Sequence, residues 1–328
     1  MIHLSYSIKE ITQKEWDEFY IKIPRSNMMQ SWDYGECKAK VENLYASRFM
    51  ILFNDEPIAI FQVLLKKFMF LGSIARLNRG PLFLEENIDQ NKQILKTLEV
   101  IRDFAKKKVW RLFYLAPEVE NTFKDQKDII DKGFLKKKNA PWGSTFLNLH
   151  FDEEELLSNL NGKWRNMLRK AQKSDIEVKK FSGTGMPLSK IIDLYKKTQS
   201  LKGFSGINED LLKEILSKES PTWKPTSYLC FDKNIKNDNE EPIGMLVSII
   251  HGTTATYLIS YTDEIGRKFN ANYLMLWNSI IDAKSDGSKY YDLGGLNKNT
   301  TPGVAKFKRG LKGSEYELIG EYKVLNLF

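Results

Sequence analysis

Histidine and cysteine are scarce in this chain, with three His and two Cys in 328 residues. His3, His150 and His251 are scattered, with no HExxH pattern and no His beside a carboxylate cluster. Cys37 and Cys230 lie 193 positions apart, and there is no CxxC. These absences argue against a zinc ribbon, a redox pair, a disulfide framework and a catalytic Cys–His pair, and no metal site is expected. Chemistry is left to Lys, Arg, Tyr, Asp and backbone amides. The N-terminus has no basic segment followed by an apolar one, so no secretory signal is read. The most apolar run, Pro57 to Leu77, is interrupted by Lys66-Lys67 and falls short of the ~20 residues a membrane span needs. No transmembrane segment is expected, and a cytoplasmic location follows as the default.

What the chain does have is enough apolar residues to fold, 42% of the total, over a length that suggests two domains. It also has a basic excess, +8, and that excess is clustered. Seven basic residues fall between Lys163 and Lys180, among them Lys163, Arg165, Arg169, Lys170 and Lys173, against only Asp175 and Glu177. A second group, Lys306, Lys308, Arg309 and Lys312, meets no acid until Glu315. Two such patches suggest an anionic ligand such as phosphate, nucleic acid or a lipid head group. A solvated helix face is the ordinary alternative for either one.

Periodicity predicts helices over 15–23, 32–44, 88–108, 153–173, 187–200, 208–217 and 271–285. Strands are expected over 47–54, 58–65, 109–115, 226–232, 242–251, 255–261 and 289–293. The ordinary reading of the Lys306–Arg309 run, beside a functional one, is a strand with alternating exposed lysines and an inward Phe307. The two halves repeat one another. Asn54-Asp55-Glu56-Pro57 and Asn239-Glu240-Glu241-Pro242 both join apolar strands, at an offset of 185. Each hairpin leads to an amphipathic helix and then a short aromatic strand, Trp110–Tyr114 and Lys289–Leu293. Motif, order and offset together indicate a duplicated α/β unit. The domains are expected at 1–150 and 151–328, with the last strand able to return to the first.

Four segments carry a resemblance. They are Gln30-Ser31-Trp32-Asp33-Tyr34-Gly35-Glu36-Cys37-Lys38, the basic helix Lys163–Ala171, Tyr291-Asp292-Leu293-Gly294-Gly295, and Phe307-Lys308. In this order and spacing the chain resembles the FemABX family, the non-ribosomal peptidyltransferases that build peptidoglycan cross-bridges from aminoacyl-tRNA. The resemblance implies an α/β (α+β) fold of two tandem GNAT-like (acyl-CoA N-acyltransferase-like) domains; no sustained heptad run signals the long coiled-coil arm of some members. It implies a role for Lys308 in stabilising the transferring acyl group, with Tyr257 or Tyr261 in the active cleft. Lys38 would contact precursor phosphates. Trp32, Tyr34, Asp292, Gly294, Gly295 and Phe307 would help form the substrate site. Lys163, Arg165, Arg169, Lys170 and Lys173 would meet tRNA.

The implied reaction moves an amino acid from aminoacyl-tRNA to an amine of a peptide acceptor. That acceptor is a UDP-linked or lipid-linked muropeptide or another peptide amine, and the role is cell-wall biogenesis. The reading admits peripheral membrane contact. No permanently bound cofactor is implied, because the tRNA ester is already activated. Some family positions differ. Ala116-Pro117-Glu118 stands where members carry an Asp, and Ile207 and Leu211 stand where they carry Arg and Tyr. The place of a GNAT pyrophosphate loop reads Arg267-Lys268-Phe269-Asn270-Ala271-Asn272, without glycines and with Asn272 available as a helix cap. Two alternatives stay open: an acyl-CoA-dependent N-acyltransferase acting on a small amine, sugar or peptide, and a non-catalytic protein that binds tRNA or an envelope precursor.

Overall fold

A computed structural model describes residues 5–69, 72–84, 90–108, 110–122, 126–203, 206–235, 241–298 and 300–326. The chain forms two compact units. One holds the residues up to Gly143 together with those from Tyr316 onward, and the other runs Ser144–Glu315. The division therefore falls seven residues before the boundary expected at 150, because Ser144–Asn148 is strand in the second sheet.

In chain order the first unit contains β1 (Tyr6–Glu10), α1 (Gln13–Tyr20), α2 (Trp32–Glu42), β2 (Tyr45–Phe53), β3 (Glu56–Phe68), β4 (Gly72–Asn78) and β5 (Leu82–Phe83). It continues with α3 (Gln90–Lys107), β6 (Trp110–Ala116), α4 (Gln126–Asp131) and β7 (Leu135–Lys136). Next come β8 (Gly143–Asn148), α5 (Glu153–Asn159), α6 (Gly162–Gln172), β9 (Ile176–Ser182), α7 (Leu188–Lys202) and α8 (Glu209–Ser217). Then follow β10 (Trp223–Asp232), β11 (Gly244–His251), β12 (Thr254–Thr262), α9 (Glu264–Lys268), α10 (Ala271–Ser285), β13 (Tyr290–Asp292), α11 (Pro302–Arg309) and β14 (Ser314–Glu317). The last strand, β15 (Tyr322–Leu325), is part of the first sheet.

The first sheet runs β1-β2-β3-β4-β6-β15-β7, and the second β14-β8-β13-β12-β11-β10-β9. In each, an antiparallel run is followed by a helix and then a parallel strand: β4 beside β6, and β12 beside β13. In each, an antiparallel strand from another part of the chain is next in line: β15 on β6, and β8 on β13. The repeated unit is thus one strand larger than the hairpin visible in the first half, where β4 carried no separate signal. Part of the second copy of the turn motif, Asn239 and Glu240, lies outside the described residues, as do residue 109 and the expected helix start at 88–89.

Local chemistry explains these elements. The β2–β3 turn places Asn54 and Asp55 at φ 49° and 66°, the left-handed pair that a tight hairpin requires and that Asn and Asp tolerate best. Thr12 and Glu15 form a reciprocal capping box at α1, whose Trp16 and Tyr20 fall one turn apart and are buried. On α3, Leu98, Ile101 and Ala105 at helical spacing meet Phe49, Phe113 and Leu115 of the sheet. Strand β11 is buried nearly throughout, inside the sheet between β10 and β12 with helix α10 packed on it.

Two expectations are corrected. The helix expected over 153–173 is two helices, broken at Leu160–Asn161. Asn161 accepts from the Lys163 N–H and restarts the chain as α6. The strand expected at Lys306–Arg309 is helix α11. Pro302 occupies its first turn, and Ala305 and Lys308, three apart, are buried together. Among the described residues, no helix is long and apolar enough to cross a membrane.

Candidate active site

The site is built where β12 and β13 stop pairing. They run parallel and share three residue pairs, Thr254 with Tyr290 to Thr256 with Asp292. At this level β12 also bulges against β11, between Val247 and Ser248. A bulge kinks a strand and re-aims the side chains that follow it. The gap beyond the last pair is filled by a polar cluster.

Asp292 is buried at the end of β13, and its Oδ1 accepts from the Gly294 N–H at 2.9 Å and from Ser144 Oγ. Ser144 also hydrogen-bonds the Gly294 carbonyl at 2.8 Å. Gly294 has φ 70°, and a Cβ there would lie 2.9 Å from the Tyr257 carbonyl, so glycine is required on both counts. Lys308, 7% exposed, reaches in from α11 and donates to the Gly294 carbonyl at 3.1 Å and the Gly295 carbonyl at 2.8 Å. The Tyr257 ring lies 5.6 Å from its ammonium. Two of the three ammonium N–H groups are thus engaged, and among the described residues the third has no acceptor.

Burial lowers the Lys308 pKa to about 8, against the opposing pull of the Asp292 charge. Burial also raises the Tyr257 pKa, and its hydroxyl donates to Ser260 Oγ. The cluster is therefore a buried cation with a carboxylate nearby, poised to titrate close to neutrality.

On the other side of α11, Trp164, Tyr273 and Phe307 form an aromatic triangle. Phe307 is 5.9 Å from Trp164 and 5.0 Å from Tyr273, centre to centre. These rings floor a cleft of about 540 Å³ whose rim carries Lys163, Lys306 and Arg309. Trp164 Nε1–H donates to the Phe307 carbonyl at 3.1 Å, which ties α6 to the helix that carries Lys308.

The structure brings Tyr257, Asp292, Gly294, Gly295 and Lys308 together and sets Phe307 in the adjoining cleft. Tyr261 lies four residues further along β12, opposite Met245, with its pKa raised by burial and by Asp263. Lys163, Arg169 and Lys170 on α6, and Lys173 just after it, are exposed. Arg165 instead turns back to the Leu157 and Ser158 carbonyls at the end of α5. The N-cap of α10 is Asn270, in the left-handed region at φ 59° and without a side-chain bond; Asn272 lies inside the helix, so the cap expected from it is not formed. Ile207 donates its N–H to Tyr195 Oη, and Leu211 is buried on α8.

Trp32, Tyr34 and Lys38 belong to α2 of the first unit. Lys38 is paired with Glu42. Trp32 lies under the Arg48 guanidinium at 3.8 Å. Tyr34 is buried, and its hydroxyl pKa is pushed up to about 12. Much of the surrounding motif is structural. Gln30 spans to the Gln62 N–H at 2.7 Å and the Asn78 carbonyl at 2.8 Å, and Ser31 caps α2 through the Tyr34 N–H. Gly35 packs so closely on Gln62 that a Cβ would collide with it.

Sequence reasoning missed Ser144, Trp164 and Tyr273 as site residues. No signal could have found Ser144, which is 148 positions from its partner Asp292.

The FemAB family matches residues 225–325. The segment holds Tyr257, Asp292, Gly294, Gly295, Phe307 and Lys308, and it excludes α2 and α6. Among solved structures, FemX is similar to the chain at 18% identity and TM-score 0.79, over 98% of each chain. A tandem GNAT protein from the clavulanic acid biosynthesis pathway is similar at 7% identity and TM-score 0.54, over 99% of each. A conserved protein of unknown function from Bacteroides thetaiotaomicron is similar at 14% identity and TM-score 0.56, over 97% of this chain and 99% of that one. The fold is the tandem GNAT fold. No curated protein matches the sequence.

Proposed function

We propose that the chain is an aminoacyltransferase that moves an amino acid from aminoacyl-tRNA to a primary amine of a peptidoglycan precursor. The observation that carries this reading is the buried Lys308 ammonium, fixed by two carbonyls with its third N–H unclaimed. The FemAB match over the same segment supports it.

In the proposed step the acceptor amine adds to the ester carbonyl, and the carbonyl π electrons move onto oxygen. Lys308 donates its remaining N–H to that oxyanion, or to the ribose oxygen as it leaves. The C–O ester bond then breaks, the amide forms, and the amine's proton passes to the departing ribose hydroxyl. The ester arrives activated, so positioning and a preorganised charge supply most of the acceleration. At neutral pH a lysine titrating near 8 is still mostly charged, as this role needs. The aromatic cleft rimmed by Lys163 and Lys306 suits the tRNA end, with rings for a base and ammonium groups for phosphate, while Arg309 on the same rim is paired with Glu315.

The test is incubation with charged tRNAs and muropeptide precursors, read by mass spectrometry. Transfer is expected, with a loss of at least about tenfold for Lys308→Ala, equivalent to about 1.4 kcal/mol of barrier. Near-normal turnover of that variant would refute the assignment.

One observation favours a second reading. The start of α10 has no side-chain cap, which leaves N–H groups free where an acyl-CoA pyrophosphate could be held. Saturable thermal stabilisation by CoA, with none by tRNA, would select that reading.

A further inference from the structure

The proposed transfer makes no use of a group of exposed apolar residues at one end of the first sheet. Met69 is 82% exposed and Phe68 41%, at the tip of the β3–β4 hairpin. Tyr45, 55% exposed, begins β2 at the same end of the sheet, because it pairs with Leu65. The parallel pairing of Ser73 with Trp110 brings the start of β6 to this end as well. The C-terminal turn of α3, only two residues before β6, comes with it.

This end is also strongly cationic. Lys66 and Lys67 are exposed on β3 beside the tip, with the Lys67 ammonium 4.2 Å from the Tyr45 ring centre. Lys106, Lys107 and Lys108 are exposed at the end of α3. Among the described residues, no carboxylate pairs with any of these five lysines. The sequence contains no Asp or Glu from Pro57 to Leu84, and none between Asp103 and Glu118. Glu42, three residues before Tyr45, and Asp103, three before Lys106, are already matched to Lys38 and Arg102.

We infer that this end of the first sheet docks on an anionic lipid surface. Phe68 and Met69 enter the headgroup layer while the surrounding lysines meet lipid phosphates. Apolar side chains standing clear of the protein inside an acid-free basic collar are the combination that binds such a surface, each part weak alone and sufficient together. A nucleic acid would satisfy the lysines, but it gives an aliphatic Met69 at a hairpin tip nothing to bury against. The collar and the tip belong to the first unit and the residues of the candidate chemistry to the second, so docking and catalysis can fail separately.

The test is flotation of the full chain with vesicles, together with thermal melts of each variant. Wild type should float with vesicles of equal parts phosphatidylglycerol and phosphatidylcholine. Its partitioning should fall by at least about tenfold on pure phosphatidylcholine or in high salt. Phe68→Ser with Met69→Ser, and separately Lys66→Glu with Lys67→Glu, should each lower partitioning by about tenfold with unchanged melting. No flotation of wild type on the anionic vesicles overturns the inference. So does flotation indifferent to the Phe68 and Met69 changes, and a tRNA gel shift lost with the lysine pair would then identify the face as an RNA surface. Transfer activity of the serine variant in a detergent-free assay with water-soluble precursor should equal wild type.

Discussion

Replacing Lys308 with methionine removes a charge that the fold has taken out of water, and the energetic consequence is readable as a function of pH. Burial moves the folded pKa from 10.5 to about 8. At about 1.4 kcal/mol per pH unit, holding the charged form inside costs about 3 kcal/mol. The sign follows from proton binding. Between pH 8 and 10.5 the unfolded chain keeps this proton and the folded chain has released it, so stability rises with pH across that window. Below about 8 both states are protonated and the full penalty stands. Denaturant melts of wild type and Lys308→Met from neutral to about pH 10 give the comparison. The buried tyrosines, Tyr34 and Tyr291 among them, have raised pKa values and work in the opposite direction above their unfolded value. They are common to both proteins and cancel in the difference. Wild type should therefore gain up to about 3 kcal/mol relative to the variant as pH rises. A flat difference would refute the claim that Lys308 is desolvated. The same titration divides two chemical roles. If the charged form stabilises an oxyanion, turnover falls as pH passes about 8; if the neutral amine serves as a base, turnover rises there.

Other outcomes follow from particular contacts. Trp164→Phe keeps the ring stack but loses the bond to the Phe307 carbonyl; it should cost about 1–2 kcal/mol in a chemical melt and lower transfer activity more than any variant of the exposed α6 lysines. Arg79→Ala strands Glu118, which now accepts two bonds of 2.7 Å from that guanidinium; a loss of about 3–5 kcal/mol is expected by thermal or urea melting. Arg169→Glu with Lys170→Glu, both exposed, should leave melting unchanged while weakening tRNA binding and flattening its salt dependence in a filter-binding assay.

Much of the architecture was legible because it is local. The helix over Ala271–Ser285 follows from apolar spacing, the β2–β3 turn from Asn54-Asp55, and the duplication from repeated order and offset. Asp292, Gly294 and Lys308 were legible only as members of a motif. Nothing local distinguishes Lys308 from its neighbours Lys306 and Arg309, which are exposed. Lysines two apart suggest a strand's period of two, and a buried lysine violates the default that charges face water. Helix α11 places Ala305 and Lys308 on one face, and that face is turned inward.

By itself the sequence determined that His and Cys are few and scattered, that its basic charge is patchy, and that one α/β unit occurs twice. The resemblance pointed to Lys308; only the tertiary structure showed that this cation is buried and held by two carbonyls. Pairing of β12 with β13 ends after Thr256 and Asp292, and Ser144 comes from far along the chain to brace the turn at Gly294. A lysine becomes a group titrating near 8 through what surrounds it, and those surroundings are assembled from residues that chain order keeps apart.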